Sequence, residues 1–298
     1  FIFSPKEINS LRSTIGSFNA EKLNEALSFF APQNLRLKII SPDVFTDKSC
    51  AFYDAQYSVK PLSPSLLYSL NHPPLMDSLR LPPPNPYLSN AYHLVLPETG
   101  YGTPNKLIDK EGLRFWFAQD QQFFSPKGDI YISFDMAAFS SSLAAVAAKR
   151  IWLSALNDYL QAKYYRAEIA GLHYRIYGHQ AGFTIHTRGF TEQQTLLVNQ
   201  LLDAVTAFSP TQKIFEHYKE LQLQSLQNSL LNKPTNRLFS RLSVLIQRNT
   251  QAPIELLDAV THSTYEAMLA TCKDAFSHYY VDSFMHGNWS LEHANTFA

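Results

Sequence analysis

The order of apolar and polar residues between positions 140 and 208 predicts a helix, a hairpin of two strands and a second helix. Over 150–161, apolar side chains recur at spacings near 3.6 and polar side chains occupy the other helical face. The apolar residues are Trp152, Leu153, Leu156, Tyr159 and Leu160. Over 172–188, apolar and polar residues alternate on either side of a short loop at 178–182, which indicates two half-buried antiparallel strands.

The second helix of this unit is predicted to begin at Thr191, where the order Thr-Glu-Gln-Gln has the form of a capping box. It carries one apolar stripe and stops before Pro210. The stripe consists of Leu197, Leu201, Ala204, Val205 and Phe208. We therefore expect two helices to cover one face of an antiparallel sheet.

The same two periods predict the remaining elements. Further strands are expected at 34–40, 93–96, 112–118, 129–136 and 282–286. Further helices are expected at 1–31, at 211–231, at 236–248, from Pro253 and from a second capping box at 263–266. Strands that precede, interrupt and follow the helices are typical of the α+β class, here with a largely antiparallel sheet backed by helices.

Prolines divide the chain into three predicted parts. The run at 81–86, Leu-Pro-Pro-Pro-Asn-Pro, lacks the backbone donors that a helix or central strand needs. We expect residues 1–80 to be an incomplete α/β segment that ends a preceding α+β domain, residues 81–92 a stiff proline-rich connector, and residues 93–298 a complete α+β domain. The alternative for the connector is a ligand for a small recognition domain, but Arg80 is the only basic residue at the ends of the run.

Composition excludes several classes of partner. The 298 residues are 45% hydrophobic, and 25 basic and 25 acidic residues give no net field that would favour nucleic acid. The stretch 174–177, Tyr-Arg-Ile-Tyr, is the only hint of interleaved aromatic and basic residues. No apolar run reaches the roughly 18 residues of a membrane-spanning helix. The first residue is Phe1, so we expect a piece of a longer chain.

The ten histidines are the natural candidates for a metal site or a general base, but they do not cluster. Neither H-E-x-x-H nor H-x-x-E-H occurs. The nearest pieces are the pairs at 216–217 and 292–293, which have Lys213 and Trp289 where the first histidine of the inverted motif would stand. His173 and His186 lie on the two arms of the hairpin, and surface histidines of a sheet are the better interpretation.

Other chemistry is equally sparse. Cys50 and Cys272 are far apart and are expected to be unpaired thiols. Serines at 140–142 fit helix capping better than nucleophilic catalysis, and the glycines form no phosphate-binding loop. The residues therefore predict no catalytic residue and no metal ligand, and they leave any substrate-binding residues unknown.

Six short stretches nevertheless occur in an informative order. They are F-A-P-Q-N-L-R-L at 30–37, Y-D-A-Q-Y at 53–57, L-P-P-P-N-P-Y at 81–87, F-W-F-A-Q-D through F-F-S-P-K at 115–127, A-E-I-A-G-L at 167–172 and M-H-G-N at 285–288. Together they make the chain similar to the middle region of the pitrilysin and insulin-degrading-enzyme family of zinc metallopeptidases, from the end of the second domain through the third.

This resemblance implies a longer parent protein that degrades peptides inside a chamber built from several related α+β domains. In such a parent, zinc is held by an inverted H-x-x-E-H motif and a distant glutamate in the first domain, and this sequence lacks that motif. The chain by itself is therefore expected to hold no cofactor, to be inactive and to form part of the chamber wall in the C-terminal half. Its expected partners are the other domains of the parent and peptide substrates.

Two other interpretations stay open at this point. The chain is alternatively a structural or interaction subunit made of an inactive copy of the same fold, and the residues upstream of Phe1 would decide between the two. A free-standing enzyme of unknown chemistry is a more distant alternative. The resemblance implies a periplasmic location for a Gram-negative source and a cytoplasmic one otherwise.

Overall fold

The computed structural model describes residues 19–74, 76, 79–80, 83–89, 92–247 and 250–298. Backbone contacts separate the chain into two units, residues 1–82 and residues 83–298. The two units are described one after the other.

The first unit consists of short elements with exposed side chains. Its described elements are helix α1 (Ala20–Ser28), a 3-10 turn (Pro32–Asn34), strands β1 (Lys48–Ser49) and β2 (Gln56–Tyr57), and helix α2 (Pro64–Asn71). α1 lies within the helix predicted at 1–31, of which residues 1–18 lie outside the described ones. β1 and β2 pair antiparallel. No described side chain of this unit is buried.

The strand predicted at 34–40 is wrong. Leu35, Leu37 and Ile39 alternate with polar residues, yet all three are exposed, and this stretch joins no sheet among the described residues. A strand needs a neighbour for its backbone groups, which an alternating pattern does not supply. The sequence also does not predict α2, because a proline usually interrupts a helix. Pro64 lies in the first turn, however, where its missing N–H costs nothing.

A six-stranded sheet forms the centre of the second unit. Its strands are β3 (Asn105–Lys110), β4 (Leu113–Gln119), β5 (Lys127–Asp135), β6 (His173–Gly178), β7 (Gly182–Phe190) and β8 (Tyr280–Gly287). The order across the sheet is β3-β4-β8-β5-β7-β6, and only β4 and β8 pair in parallel. The predicted hairpin and the strands at 112–118, 129–136 and 282–286 are confirmed to within about two residues. β3 is not predicted.

Helices cover one face of this sheet. They are α3 (Leu143–Ile169), α4 (Thr191–Ala207), α5 (Gln212–Leu230), α7 (Pro253–Thr261), α8 (Tyr265–Ala275) and α9 (Leu291–Phe297), while α6 (Pro234–Ile246) has no buried residue. The strand register places Phe115, Ile132, Ile185 and Ile176 in one row, and all four are buried. We call this side the covered face and the opposite side the open face. The α+β class with a helix-backed sheet is confirmed.

The central helix α3 joins the sheet to the outer helices. It contacts β6 as well as α5, α7 and α8. The side chain of Ser142 caps it by accepting the N–H of Ala145, as the serine run predicts. Trp152 is buried and its ring lies 5.7 Å from that of Phe183 on the covered face. Tyr159, predicted on the same apolar face, is instead 41% exposed.

Neither predicted capping box forms as predicted. α4 already begins at Thr191, so the capping position falls on Phe190, which has no side-chain oxygen. The buried Gln194 amide donates instead to the Thr187 hydroxyl at 2.9 Å. In the second box the cap of α8 is Thr264, one residue later than predicted. A short capping motif fixes a helix start only to within about one residue, because packing selects among neighbouring oxygens.

The strand predicted at 93–96 is also wrong, and side-chain amides explain why. The Asn288 side chain accepts the N–H of Val95 at 2.8 Å and donates to the carbonyl of His93 at 2.8 Å. The Gln119 amide donates to the carbonyl of Leu96 at 3.0 Å. Because these amides satisfy the backbone groups, the segment runs along the sheet without joining it.

A row of glycines accommodates Trp289 on the covered face. Gly128 of β5 pairs with Gly287 of β8. A Cβ atom at Gly128 would lie 2.2 Å from the ring of the buried Trp289, so a side chain does not fit there. Gly287 has φ of +133°, a backbone conformation that favours glycine.

The described part of the proline-rich segment packs against the helices. The Arg166 guanidinium donates to the carbonyl oxygens of Pro83 and Pro84, and the Asn85 amide donates to the carbonyl of Arg166 at 2.7 Å. The Tyr87 side chain is buried and its hydroxyl donates to Gln200 of α4. Residues 83–89 are thus fastened to α3 and α4. The division into 1–80, 81–92 and 93–298 as parts of successive domains stays a prediction.

Candidate functional site on the open face of the sheet

One row of side chains crosses the open face from edge to edge. In the order of the strands, its members are Lys106, Trp116, Phe284, Tyr131, His186 and Arg175. We call this set the aromatic row. Each member lies on the opposite side of its strand from the buried residues, because successive side chains of a strand point to opposite faces.

The rings of the aromatic row lie nearly flat on one another. Tyr131 and His186 stack with centroids 4.1 Å apart and planes 5° apart. Tyr131 and Phe284 have centroids 6.5 Å apart and planes 17° apart. At the β3 edge, the Lys106 ammonium lies 5.7 Å from the centre of the Trp116 ring. The four ring-bearing residues are half-buried, so their rings remain partly accessible.

Most of the charges beside the row are paired. His186 forms a 2.8 Å hydrogen bond with the Asp129 carboxylate, and Arg114 and Asp282 form a 3.0 Å ion pair. Burial raises the pKa of Tyr131, with smaller contributions in the same direction from Asp129 and Tyr177. The Tyr131 hydroxyl therefore stays neutral over the physiological pH range.

A cleft of about 580 Å³ lies where β6 and β7 meet the end of α3. Lys127, Arg175 and Arg188 line it, together with His173 and Glu168. His173 and Glu168 are paired with each other. Within the described part of the chain, Lys127 and the two arginines form no ion pair. The Lys127 ammonium lies 4.9 Å from the centre of the Phe190 ring. We call this the cationic cleft.

Comparison with known proteins identifies the family. A family model described as the middle or third domain of peptidase M16 matches residues 1–259. The chain belongs to the peptidase M16 family. This confirms the resemblance found in the sequence.

Individual relatives agree with this assignment. Insulin-degrading enzyme of Drosophila melanogaster is 27% identical over 100% of this chain and 30% of that protein. The A-factor-processing enzyme of Saccharomyces cerevisiae is 24% identical over 93% of this chain and 27% of that protein. The crystal structure of pitrilysin is similar with a TM-score of 0.75 at 21% identity, over 98% of this chain and 31% of that one. The M16 chain described here thus spans less than a third of the length of each of these proteins.

The histidines of this M16 chain are spread over several elements. His173 and His186 both lie on the open face, each beside its own carboxylate. His217 is exposed on α5, and His293 takes part in the cap of α9 through a 2.9 Å contact with the Ser290 hydroxyl. Over the described ranges, no group of three His, Cys, Asp or Glu side chains is placed to hold a metal ion.

The other candidate groups have local roles. Cys50 and Cys272 are free thiols in different units, and burial raises the pKa of Cys272 to about 12. Lys149 of α3 is buried, and its ammonium donates to the carbonyl oxygens of His179 at 2.6 Å and Gln180 at 2.9 Å in the hairpin loop. Burial lowers the pKa of Lys149 to about 8. It holds the loop rather than contributing to the open face.

The sequence does not single out the aromatic row. Its members are the residues that the alternating pattern assigns to the outward side of each strand, and an isolated outward aromatic residue is unremarkable. The available signal is that four strands each carry a ring there, at Trp116, Tyr131, His186 and Phe284. Only the strand order brings the four together.

No helix among the described residues has the length and apolar character needed to cross a membrane. The cellular compartment of this chain stays a prediction.

Proposed function

We propose that this chain is a non-catalytic part of a zinc metalloendopeptidase of the M16 family, and that the open face of its sheet forms part of the wall that encloses peptide substrates. The observation that carries the proposal is the aromatic row. It is a broad surface of partly accessible rings on the side of the sheet opposite its buried row. Surfaces of this kind suit contact with many different peptide side chains.

The family assignment supports the peptidase part of the proposal. The matched model describes a middle or third domain, and the relatives are named as peptide-processing enzymes more than three times as long. The whole enzyme is therefore expected to contain further domains, which would be the partners of this chain. Peptides are its expected substrates.

The residues of this chain do not fit the zinc ion of the parent enzyme. The sequence has no H-x-x-E-H motif, and His173 and His186 of the sheet contact separate carboxylates. When bound elsewhere in the parent, zinc would activate a water molecule and polarise the scissile carbonyl. We assign no step of that chemistry to residues of this chain.

Calorimetry tests the non-catalytic assignment. Zinc titrated into the 298-residue chain is expected to give no stoichiometric high-affinity heat, and peptide cleavage is expected to stay at background. Cleavage that a chelator abolishes would overturn the assignment. A parent gene that lacks the zinc motif would instead favour a structural subunit with an inactive copy of the fold.

Kinetics of the parent enzyme test whether the open face contacts peptide substrates. The double substitution Tyr131→Ala and Phe284→Ala is expected to raise KM for peptides several-fold while the zinc content stays the same, since only substrate contacts are lost. The matched control is Tyr165→Ala with Phe239→Ala, which removes two exposed rings from α3 and α6. An unchanged KM in the first variant, or an equal rise of KM in both variants, contradicts the proposal that the open face forms part of the wall around the substrate.

A further inference from the structure

We propose that the open face binds peptide segments in which an aromatic and an acidic side chain are separated by one residue. The aromatic ring would lie against the edges of the Tyr131 and His186 rings, and the carboxylate would lie between Arg175 and Arg188. This inference rests on the proposed function, because it requires that peptides reach the open face.

The stacked part of the row gives the aromatic half of the site. The Tyr131 and His186 rings lie face to face with centroids 4.1 Å apart, so each covers a face of the other and their edges remain for a ligand, and the Phe284 ring lies beside Tyr131 at 17°. A third ring can meet these edges in the edge-to-face arrangement that aromatic pairs favour, and such a contact adds affinity beyond the area that it buries. The hydrogen bond from His186 to Asp129 holds the imidazole ring in place.

The balance of charge at the cationic cleft gives the acidic half. Elsewhere on the open face, Asp109 and Asp282 form ion pairs with Lys106 and Arg114. Two described carboxylates lie at or beside the cleft: Glu168, which is hydrogen-bonded to His173, and Asp129, which lies across the strands from Arg188 and is hydrogen-bonded to His186.

Three cations line the cleft, namely Lys127, Arg175 and Arg188, and none of them forms an ion pair within the described residues. Arginine is the side chain best suited to hold a carboxylate, because its planar fork donates two parallel hydrogen bonds. Both arginines are exposed, so neither is committed to the core. These three cations face two carboxylates, Glu168 and Asp129, so one positive charge is left for a peptide carboxylate to balance.

The spacing of the two halves fixes the peptide pattern. Arg175 pairs with His186 across the strands, roughly 5 Å away, and Arg188 lies two residues further along β7, roughly 7 Å away. In an extended peptide, side chains on the same side are also roughly 7 Å apart and belong to residues i and i+2. An aromatic residue, any residue and then an acidic residue therefore match the row and the cleft together.

Fluorescence anisotropy with short labelled peptides tests this inference. The probe is fluorescein-Gly-Phe-Gly-Glu-Gly, titrated with the 298-residue chain at low salt. Replacing Glu by Gln in the probe, or Phe by Ala, is expected to weaken binding about tenfold. Arg175→Gln with Arg188→Gln is expected to weaken binding of the Glu probe about tenfold and to leave binding of the Gln probe nearly unchanged, because the lost contact is the same.

The matched control is Arg237→Gln with Arg241→Gln. It removes two exposed arginines from α6 and makes the same change in net charge. We expect the dissociation constant of the control to stay within about twofold of that of the unmodified chain. Equal weakening by both double variants would mean general charge attraction and would overturn the site.

The remaining outcomes separate this inference from the proposed function. Tight binding of the Glu probe that ignores Arg175 and Arg188 overturns the site but leaves a peptide-binding wall. No binding of any probe at millimolar protein concentration also overturns the site. The KM comparison in the parent enzyme then tests separately whether the open face contacts substrate. Far-ultraviolet circular dichroism of each variant confirms that the fold is intact.

Discussion

The two faces of the six-stranded sheet use similar side chains for different purposes. On the covered face, Phe183 of β7 is fully buried and its ring lies 5.1 Å from Phe134 and 5.7 Å from Trp152. On the open face, Phe284 of β8 is half-buried, and its ring lies 6.5 Å from that of Tyr131 and 6.0 Å from that of His286. The contrast teaches that an aromatic residue in a strand of this fold stabilises the chain or stays accessible for contact, according to the face it occupies.

Both faces are built from the same strands. Along β5, Ile130 and Ile132 are buried, while Tyr131 between them and Ser133 after them are half-buried. Period-two alternation therefore lets stability and surface chemistry vary separately within one strand. Substitutions that differ only in the face they affect can test this separation.

The largest expected effect is on the covered face. Phe183→Ala removes a fully buried ring and leaves a cavity beside Trp152, so the free energy of unfolding should fall by about 3–5 kcal/mol. Urea unfolding followed by circular dichroism measures the change. A loss below about 1 kcal/mol would mean that the covered face does not dominate stability.

A buried charge behind the covered face should make stability depend on pH. Burial lowers the pKa of Lys149 from 10.5 to about 8. Between these values the unfolded chain binds more protons than the folded one, so the free energy of unfolding rises with pH across this window. Below pH 8 both states hold the proton, and the cost of burying the charge is present in full.

The Lys149→Met variant isolates this contribution. Relative to that variant, the unmodified chain should gain roughly 3 kcal/mol between pH 7 and pH 10.5. Urea unfolding at several pH values measures the difference. A difference that stays constant or falls as the pH rises would contradict the buried-lysine account.

A polar pair inside the covered face should show strong coupling. The buried Gln194 amide nitrogen donates to Thr187, and its amide oxygen has no hydrogen-bond partner. Thr187→Val alone leaves the amide unpaired and should cost about 1–3 kcal/mol. Adding Gln194→Leu should recover most of that loss, because both polar groups are then gone. A double-mutant cycle by urea unfolding measures the coupling, and additive losses would contradict it.

The smallest expected effect is the same substitution on the open face. Phe284→Ala removes a half-buried ring that has solvent on one side, so the free energy of unfolding should fall by roughly 1 kcal/mol. This is a fraction of the loss expected for Phe183→Ala. Equal losses for the two variants would remove the distinction between the faces.

The sequence by itself determined the elements whose signals are local. The 3.6-residue period over α3 and the two-residue period over β5, β6, β7 and β8 each lie within one element, so the helix and the strands follow from the residues alone. The order of the six motifs likewise gave the family, which the match over residues 1–259 confirms.

Only the tertiary structure decided which extended segments became strands and which faced solvent. Segments 34–40 and 93–96 have suitable patterns but pair with no strand in the described ranges, whereas the polar β3 has β4 beside it. The aromatic row exists because β8 inserts between β4 and β5, and β8 follows β5 by more than 140 residues in the chain. Backbone hydrogen bonds between distant strands set that order, and no local pattern in the sequence encodes them.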